Sequence, residues 1–313
     1  MKYTLYREGN FYKGTLHAHT NRSDGRISPQ ETIERYMKNG FSFLGISDHM
    51  VYGYYPEAED ENFLSIPAAE LHTHEKGVAH HLLALGEPEH TGFSYGTLDP
   101  ALNKLDVQSL IDLIVEKNNL AIYCHPHWSR VGIGRLCELE NLTGMEIYNH
   151  ECEMGWRSGK AEVFFDHLLW HGRRIWCLGS DDTHSKDYTF CGGYITVKTP
   201  DFSHRGILKA IADGSFYASS AREGQPAPRI FDFLCGDGMA KLWCDPSRDV
   251  YFYFSTSTDP AKWSYSYKCI HAKENDPVSY AEQEIPEGTK YVKVTIEDFS
   301  GNTSWCQPIW LED

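Results

Sequence analysis

Two histidines two residues apart, His17 and His19, with Asp24 just beyond them, are the first residues in this chain with chemistry in their spacing. On an extended strand, positions i and i+2 project to one side, so the two imidazoles make a pincer for a borderline divalent cation. Alone the pair is a weak signal, since surface loops carry His-x-His by chance. It does not stay alone. Ser47-Asp48-His49, Glu70, His80-His81, Cys124-His125-Pro126-His127 and Asp181-Asp182-Thr183-His184 follow, each in or just after a short apolar or β-branched stretch. The chain holds 16 histidines, well above ordinary usage, and those at strand ends are the ones that suggest metal chemistry.

Alternating strands and helices must position these groups. Ser28-Pro29-Gln30-Glu31 is a capping box with proline at the first helical position, and Ile33, Tyr36 and Met37 continue it as a stripe up to Gly40. Strands are expected over 41–46, 64–69 and 81–85, delivering Asp48 with His49, then Glu70. Asp106 caps a helix with Val107, Leu110, Ile111 and Ile114 on one face. Strands 120–123 and 145–148 follow, the first delivering His125. A helix from Ser158 carries Ala161, Phe164, Phe165, Leu168 and Leu169. Strand 175–178 delivers Asp182 and His184, and a last unit runs from Ile207 through Gly214 to 216–218. This alternation predicts a parallel sheet with helices outside, and in barrels of that type loops converge on a site at the C-terminal strand ends. Near Gly224-Gln-Pro-Ala-Pro228 helical periodicity stops. Alternation in 251–258 and 291–296, with a turn at Ser300-Gly301-Asn302, predicts a smaller antiparallel β-sandwich over 226–313 beside a first domain of 1–223.

Composition narrows the function classes. The 313 residues and 41% hydrophobic content suffice for a sizeable core. A net charge of -15 disfavours long nucleic acid and anionic membranes as partners, but not a small phosphorylated substrate held beside bound cations. No apolar run is long enough to span a bilayer, and the N-terminus lacks the apolar core of a secretory signal, so the expected location is cytoplasmic. The nine cysteines are scattered with no Cys-x-x-Cys, which predicts reduced, buried thiols. The oligomeric state is not readable.

Taken in order, Leu-His-Ala-His-Thr-x-x-Ser-Asp-Gly, Ile-Ser-Asp-His, the lone Glu70, His-Leu-Leu-Ala-Leu-Gly, Cys-His-Pro and Gly-Ser-Asp-Asp-Thr-His resemble the motifs of the polymerase-and-histidinol-phosphatase (PHP) family of metal-dependent hydrolases over roughly residues 12–220. The added C-terminal segment looks like the branch that includes carbamate-hydrolase-like members. The resemblance implies an α/β fold, a distorted (β/α)7-type TIM-like barrel holding two or three divalent ions (Mn, Fe or Zn). It implies that His17 and His19 hold one metal, with Glu70 bridging to a second and Asp182 completing the shell. His81 and His125 would serve the second ion; Asp24, His49 and His184 would serve a third. Asp24 stands where many members have histidine, which favours a harder ion. His81 is preferred to His80 for its adjacency to Leu-Leu-Ala-Leu, and Asp182 to Asp181 for the Asp-x-His spacing, which leaves Asp181 as a supporting partner.

Closely held dications lower the pKa of bound water, so hydroxide is present at neutral pH, and they polarise a phosphoryl or carbonyl oxygen. His127 is the candidate proton donor to the leaving group. Arg130, Arg135 and Arg157 are candidates to grip a phosphate, each with a surface ion pair as its alternative. Glu146 is either a support for a ligand or a structural hydrogen-bonding group. His72 and His74 imitate a pincer, but Thr73 and Glu75 beside them suggest a solvated loop. Trp263 and Trp305 are expected to be sandwich core. The expected activity is hydrolysis of a small phosphate ester or nucleotide. Amide or carbamate hydrolysis at the same site is the second reading, favoured by a pocket without arginines. A non-catalytic binding protein is the third, and it would lack some of the ligand set.

Overall fold

A computed structural model describes residues 1–184, 189–222, 225–259, 261–262, 265–273 and 276–311; Gly224 and Trp263 of the sequence reading lie outside them. The first two thirds mix strands and helices, but the sheet is not all parallel. Trp176–Ser180, Gly144–Asn149 and Asn119–Tyr123 run parallel. Val78–Gly86 then pairs antiparallel with Asn119–Tyr123, and Ala68–Glu75 antiparallel with Val78–Gly86. The strand expected at 64–69 splits: Leu64–Ser65 joins the other sheet, while Ala68–Ala69 open the strand Ala68–Glu75, which forms with the segment expected at 81–85 a long hairpin closed at Lys76 and Gly77, both at positive φ. A two-residue turn of this kind suits the twist of antiparallel strands, which is why no crossover helix separates them.

Period-two alternation decides which side chains meet. In the hairpin, Leu71, Leu82 and Ala84 pack outward against Val107, Leu110, Ile111 and Ile114 of the helix Val107–Glu116, whose Asp106 cap accepts from the Ser109 amide at 3.0 Å. Leu83 and Leu85 point the other way, joining Ile122, Cys124 and Leu178 in an inner cluster. Glu70 and His81 share a parity with that inner set. The helix Pro29–Lys38 forms as expected, with the Ser28 hydroxyl accepting from the Glu31 amide and with Ile33 and Tyr36 buried, although Met37 is exposed.

The second sheet is longer. Leu64–Ser65, Phe43–Leu44 and Asn10–Thr15 are parallel neighbours. Gly193–Thr199 and Phe216–Ser220 continue antiparallel, and through Thr303–Cys306 the same sheet passes into Tyr291–Glu297, Asp249–Ser255 and Tyr265–His271. A four-stranded sheet of Lys2–Tyr3, Ile230–Gly236, Met239–Ser247 and Val278–Glu284 faces it across Phe233, Leu242, Phe252, Phe254 and Val294. Hydrogen bonding therefore crosses the change of character near residue 224, and the N-terminal strand pairs with the C-terminal segment. Trp305 packs in the first core cluster, stacked on Tyr148.

The helix expected from Ser158 begins only at Glu162. Arg157 adopts a left-handed conformation, Asn149 and Gly159 share a backbone hydrogen bond, and Lys160 bridges to Tyr148, so 158–161 are held extended. Three short helices, Pro126–Ser129, Ile133–Glu138 and His150–Trp156, occupy stretches for which no element was expected. No helix among the described residues is long and apolar enough to cross a membrane.

Candidate metal centre

The two sheets touch at two seams. Ala18 bridges Thr183, and His49 bridges Glu70, both in parallel sense. The His19 amide donates to the Thr183 carbonyl, the Asp182 amide to the His17 carbonyl, and the Met50 amide to the Glu70 carbonyl, each at 2.9 Å. His17 and His19 flank the first bridge on one chain, Asp182 and His184 on the other. Backbone pairing at the seams thus sets these ligand-type side chains against each other before any side chain interacts.

Around the first seam four atoms converge. His17 Nε2 lies 3.1 Å from His19 Nε2, 3.3 Å from Glu70 Oε2 and 3.1 Å from Asp182 Oδ1; His19 Nε2 lies 3.2 and 3.0 Å from the same two oxygens. Metal–ligand bonds of about 2.0–2.1 Å in a tetrahedron separate the ligand atoms by roughly 3.3 Å. These spacings fit that frame.

The proton inventory points the same way. Glu146 accepts from His17 Nδ1 at 2.7 Å and from the Ser180 hydroxyl, the His125 amide at 2.8 Å and Asn149 Nδ2 at 2.8 Å. Four donors suit an ionised carboxylate, which fixes a proton on His17 Nδ1 and turns a lone pair outward at Nε2. Glu70 Oε2 and Asp182 Oδ1 are buried and accept no well-aligned hydrogen bond among the described residues. Buried lone pairs gathered without donors are costly unless a cation joins them.

Electrostatics report the same demand for positive charge. Burial works against charge on His17, yet Asp182, Glu70 and Glu146 outweigh it and lift its pKa well above the ordinary value. His19 is raised too, burial being overcome by Asp182 and Glu70. Burial would raise Glu70 and Asp182, but His17 with His81 holds the first well below the usual carboxylate range, and His17 with His19 the second.

Glu70 serves both sides. Its Oε1 lies 2.8 Å from His81 Nδ1 and 3.2 Å from His125 Nε2, while Oε2 also lies 3.0 Å from His49 Nδ1. Asp24 lies beyond, 3.4 Å from His184 Nε2 and 3.6 Å from His49 Nε2. Burial opposes charge on His184, but Asp24 and Asp182 raise its pKa to about 9. Overlapping groups of His17, His19, Glu70 and Asp182, of His49, Glu70 and His81, and of His19, Asp24, His49 and His184 can each hold a divalent cation. Cys124 joins His17, Glu70 and His125 in another, but burial raises its thiol strongly and its Sγ donates to the Ile122 carbonyl, which makes it a packing thiol.

The cluster floors a cavity of about 320 Å³. Trp128 covers His125 and His81, with ring centroids 5.0 and 5.8 Å away. Trp156 and Glu151 complete the mouth, and Glu151 Oε2 is buried without a hydrogen-bond partner among the described residues. Glu151, Trp128 and Trp156 are absent from the sequence-based expectation. They ride on helices of four and seven residues, too short for a helical period to show.

Other expected residues sit elsewhere. His127 and Arg130, together with Arg157, line a second cavity that shares Trp128 and Trp156 with the cavity over the cluster, and they do not line the latter. Arg135 is held bidentately by Glu75, at 3.1 and 3.0 Å. Asp181 turns away to accept from the Tyr36 hydroxyl and the amides of Cys191, Gly192 and Gly193. His80 faces the outer layer and bonds the Tyr123 hydroxyl. His72 and His74 lie on the strand Ala68–Glu75 and not in a loop, with His72 opposite His81 in the ladder.

Neither protein-family models nor curated protein sequences give a match to this chain. Solved structures do. A two-domain protein from Bacteroides vulgatus containing a predicted PHP-like metal-dependent phosphoesterase aligns over 94% of this chain and 92% of its own, with a TM-score of 0.52 at 15% identity. A candidate metal-dependent phosphoesterase from Bifidobacterium adolescentis covers 56% of this chain and 89% of its own (TM-score 0.42, 14% identity). An amidohydrolase from Chromobacterium violaceum, with bound sulfate and no metal, covers 55% and 87% (TM-score 0.41, 14% identity). Of these three only the first bears on the fold. It shows that this chain shares the fold of a two-domain protein containing a PHP-like domain, at low identity, and in this chain that fold gathers clusters of groups able to coordinate metal.

Proposed function

We propose that the protein is a metal-dependent hydrolase of small phosphoric esters. The observation that carries this is the set of five separations of 3.0–3.3 Å among His17, His19, Glu70 and Asp182. In this reading those four residues would hold one ion, Glu70 with His81 and His125 would hold a second, and Asp24, His49 and His184 would hold a third. Two carboxylates and two neutral imidazoles balance the charge of one dication, and the mixed nitrogen and oxygen set suits manganese, iron or zinc. When bound, such ions supply an activated water and Lewis acidity toward the scissile group. Glu146 keeps His17 in the ligating tautomer, Trp128 shields His81 and His125 from bulk water, and Glu151 places a carboxylate at the mouth to carry the proton released or consumed. The two sheets, joined at their seams, are read as a distorted barrel over 1–223, with 226–313 a β-sandwich built onto it.

Hydrolysis of 4-nitrophenyl phosphate by purified protein, with manganese, iron or zinc added and then removed by chelator, tests this. Metal-dependent release of nitrophenol is expected; no release with any of the three contradicts it. One observation favours the second reading, an amide or carbamate hydrolase: among the described residues no arginine or lysine lines the cavity over the cluster. Faster metal-dependent cleavage of a 4-nitroanilide or carbamate than of the phosphate ester would select it.

A further inference from the structure

A second cavity adjoins the one over the metal cluster. His127, Trp128, Arg130, Trp156, Arg157 and Ser158 line it, and it shares both tryptophans with the cavity over the metal cluster. The two indoles meet edge to face with centroids 6.2 Å apart, and Trp156 is 59% exposed, a large apolar ring left open beside two guanidinium groups.

The arginines are unusual in three respects. Arg130 ends the helix Pro126–Ser129 and Arg157 ends His150–Trp156, both in the left-handed conformation at φ 55 and 56. That position normally takes glycine or asparagine, because a Cβ is strained there. The two arginines at these positions line one cavity. Neither guanidinium has an ion pair or hydrogen-bond partner among the described residues, in contrast to Arg135 on Glu75. Finally, the chain carries a net charge of -15, so two unpaired arginines together mark a local reversal of sign.

We infer that Arg130 and Arg157 form a subsite for a second anionic group of the substrate, with the exposed face of Trp156 stacking on a planar ring between that group and the scissile ester. The ligand class is a monoester whose leaving group carries an aromatic or heteroaromatic ring ending in a carboxylate, sulfonate or phosphate. His127, whose Nδ1 donates to the Lys160 carbonyl at 3.0 Å, sits beside the arginines as a third polar group. The substrate class rests on the hydrolase reading above; the binding of an aromatic anion does not.

The test uses the full-length protein and the double variant Arg130→Gly/Arg157→Gly. Glycine relieves the left-handed strain at both positions, so the variant's thermal midpoint is expected to be no lower than the parent's, and lost binding cannot be assigned to unfolding. Calorimetric titration with 2-naphthalenesulfonate is expected to saturate for the parent, with or without chelator, and to weaken by about tenfold or more in the variant. Equal affinities, or no saturable binding to the parent, overturn the subsite. In hydrolysis, the parent is expected to prefer 6-phosphonooxy-2-naphthoate over 2-naphthyl phosphate in kcat/KM, and the variant to lose that preference. If neither ester is cleaved while binding still depends on the arginines, the subsite stands and the hydrolase reading fails.

Discussion

Glu146 shows how a residue that touches no substrate can govern the centre. Its four donors lock the carboxylate between His17, Ser180, His125 and Asn149. Glu146→Gln must place an amide N–H against one pair of those donors, either His17 with Ser180 or the His125 amide with Asn149, which loosens the frame that holds the His17 and His125 rings. A loss of about 10–100-fold in metal affinity is expected, read by titration of chelator-treated protein. The raised histidines make a second prediction. Without cations, neighbouring carboxylates raise the pKa of His17, His19 and His184 against the opposing effect of burial, and the stability this contributes is present below their unfolded value near 6.5 and fades as pH rises through the folded values, about 9 for His184. Metal-free protein should therefore lose stability between those limits, metal-loaded protein should not, and adding metal near pH 7.5 should release protons into weak buffer. No proton release would place the ion elsewhere. At this scale the sequence was informative because the ligand-type residues come in unlike pairs at fixed spacing. It was silent on Glu151 and misleading on His72, since a carboxylate in a short helix and a histidine in a polar strand end have no distinguishing neighbours.

Strand parity and backbone contact carry the design at the level of elements. His80 and His81 are adjacent, yet one bonds Tyr123 in the outer layer and the other reaches Glu70, because a strand alternates its faces. That much could be read from His-Leu-Leu-Ala-Leu. The antiparallel hairpin could not, because apolar runs do not encode strand direction and the Lys76-Gly77 turn resembles any loop. The loop after Trp176–Ser180 is anchored where the Asp181 carboxylate accepts three consecutive amides, and Gly193 is indispensable there: a Cβ on it would stand 1.9 Å from the Ser180 carbonyl oxygen, a backbone atom. Gly193→Ala should destabilise by about 1–3 kcal/mol in thermal or denaturant unfolding and weaken metal binding by displacing Asp182. Unchanged unfolding would show that Ser180 can move, and that the loop is less tightly held than its contacts indicate.

Considered whole, the molecule is stitched across residue 224 by strand pairing and side-chain contacts. Thr303–Cys306 pairs with Phe216–Ser220, the Gln307 side chain bonds both backbone groups of Cys177, and Lys293 pairs with Asp166. Helical periodicity does end near residue 224, but a sheet continues across that point, and pairing between distant strands leaves no local mark. A protein truncated to residues 1–222 would bare the Phe216–Ser220 edge and the pocket of Trp305; it is expected to aggregate or lack a cooperative transition, and a sharp, reversible melt would contradict this. The ligand set also spans the fold, from His17 to His184, so the central claim is open to one direct measurement. Elemental analysis of the full-length protein after incubation with manganese, iron or zinc and removal of free ion should find more than one ion per chain, falling when Glu70, the carboxylate shared between clusters, is replaced by glutamine. A chain that retains no ion under any of these conditions would contradict the account.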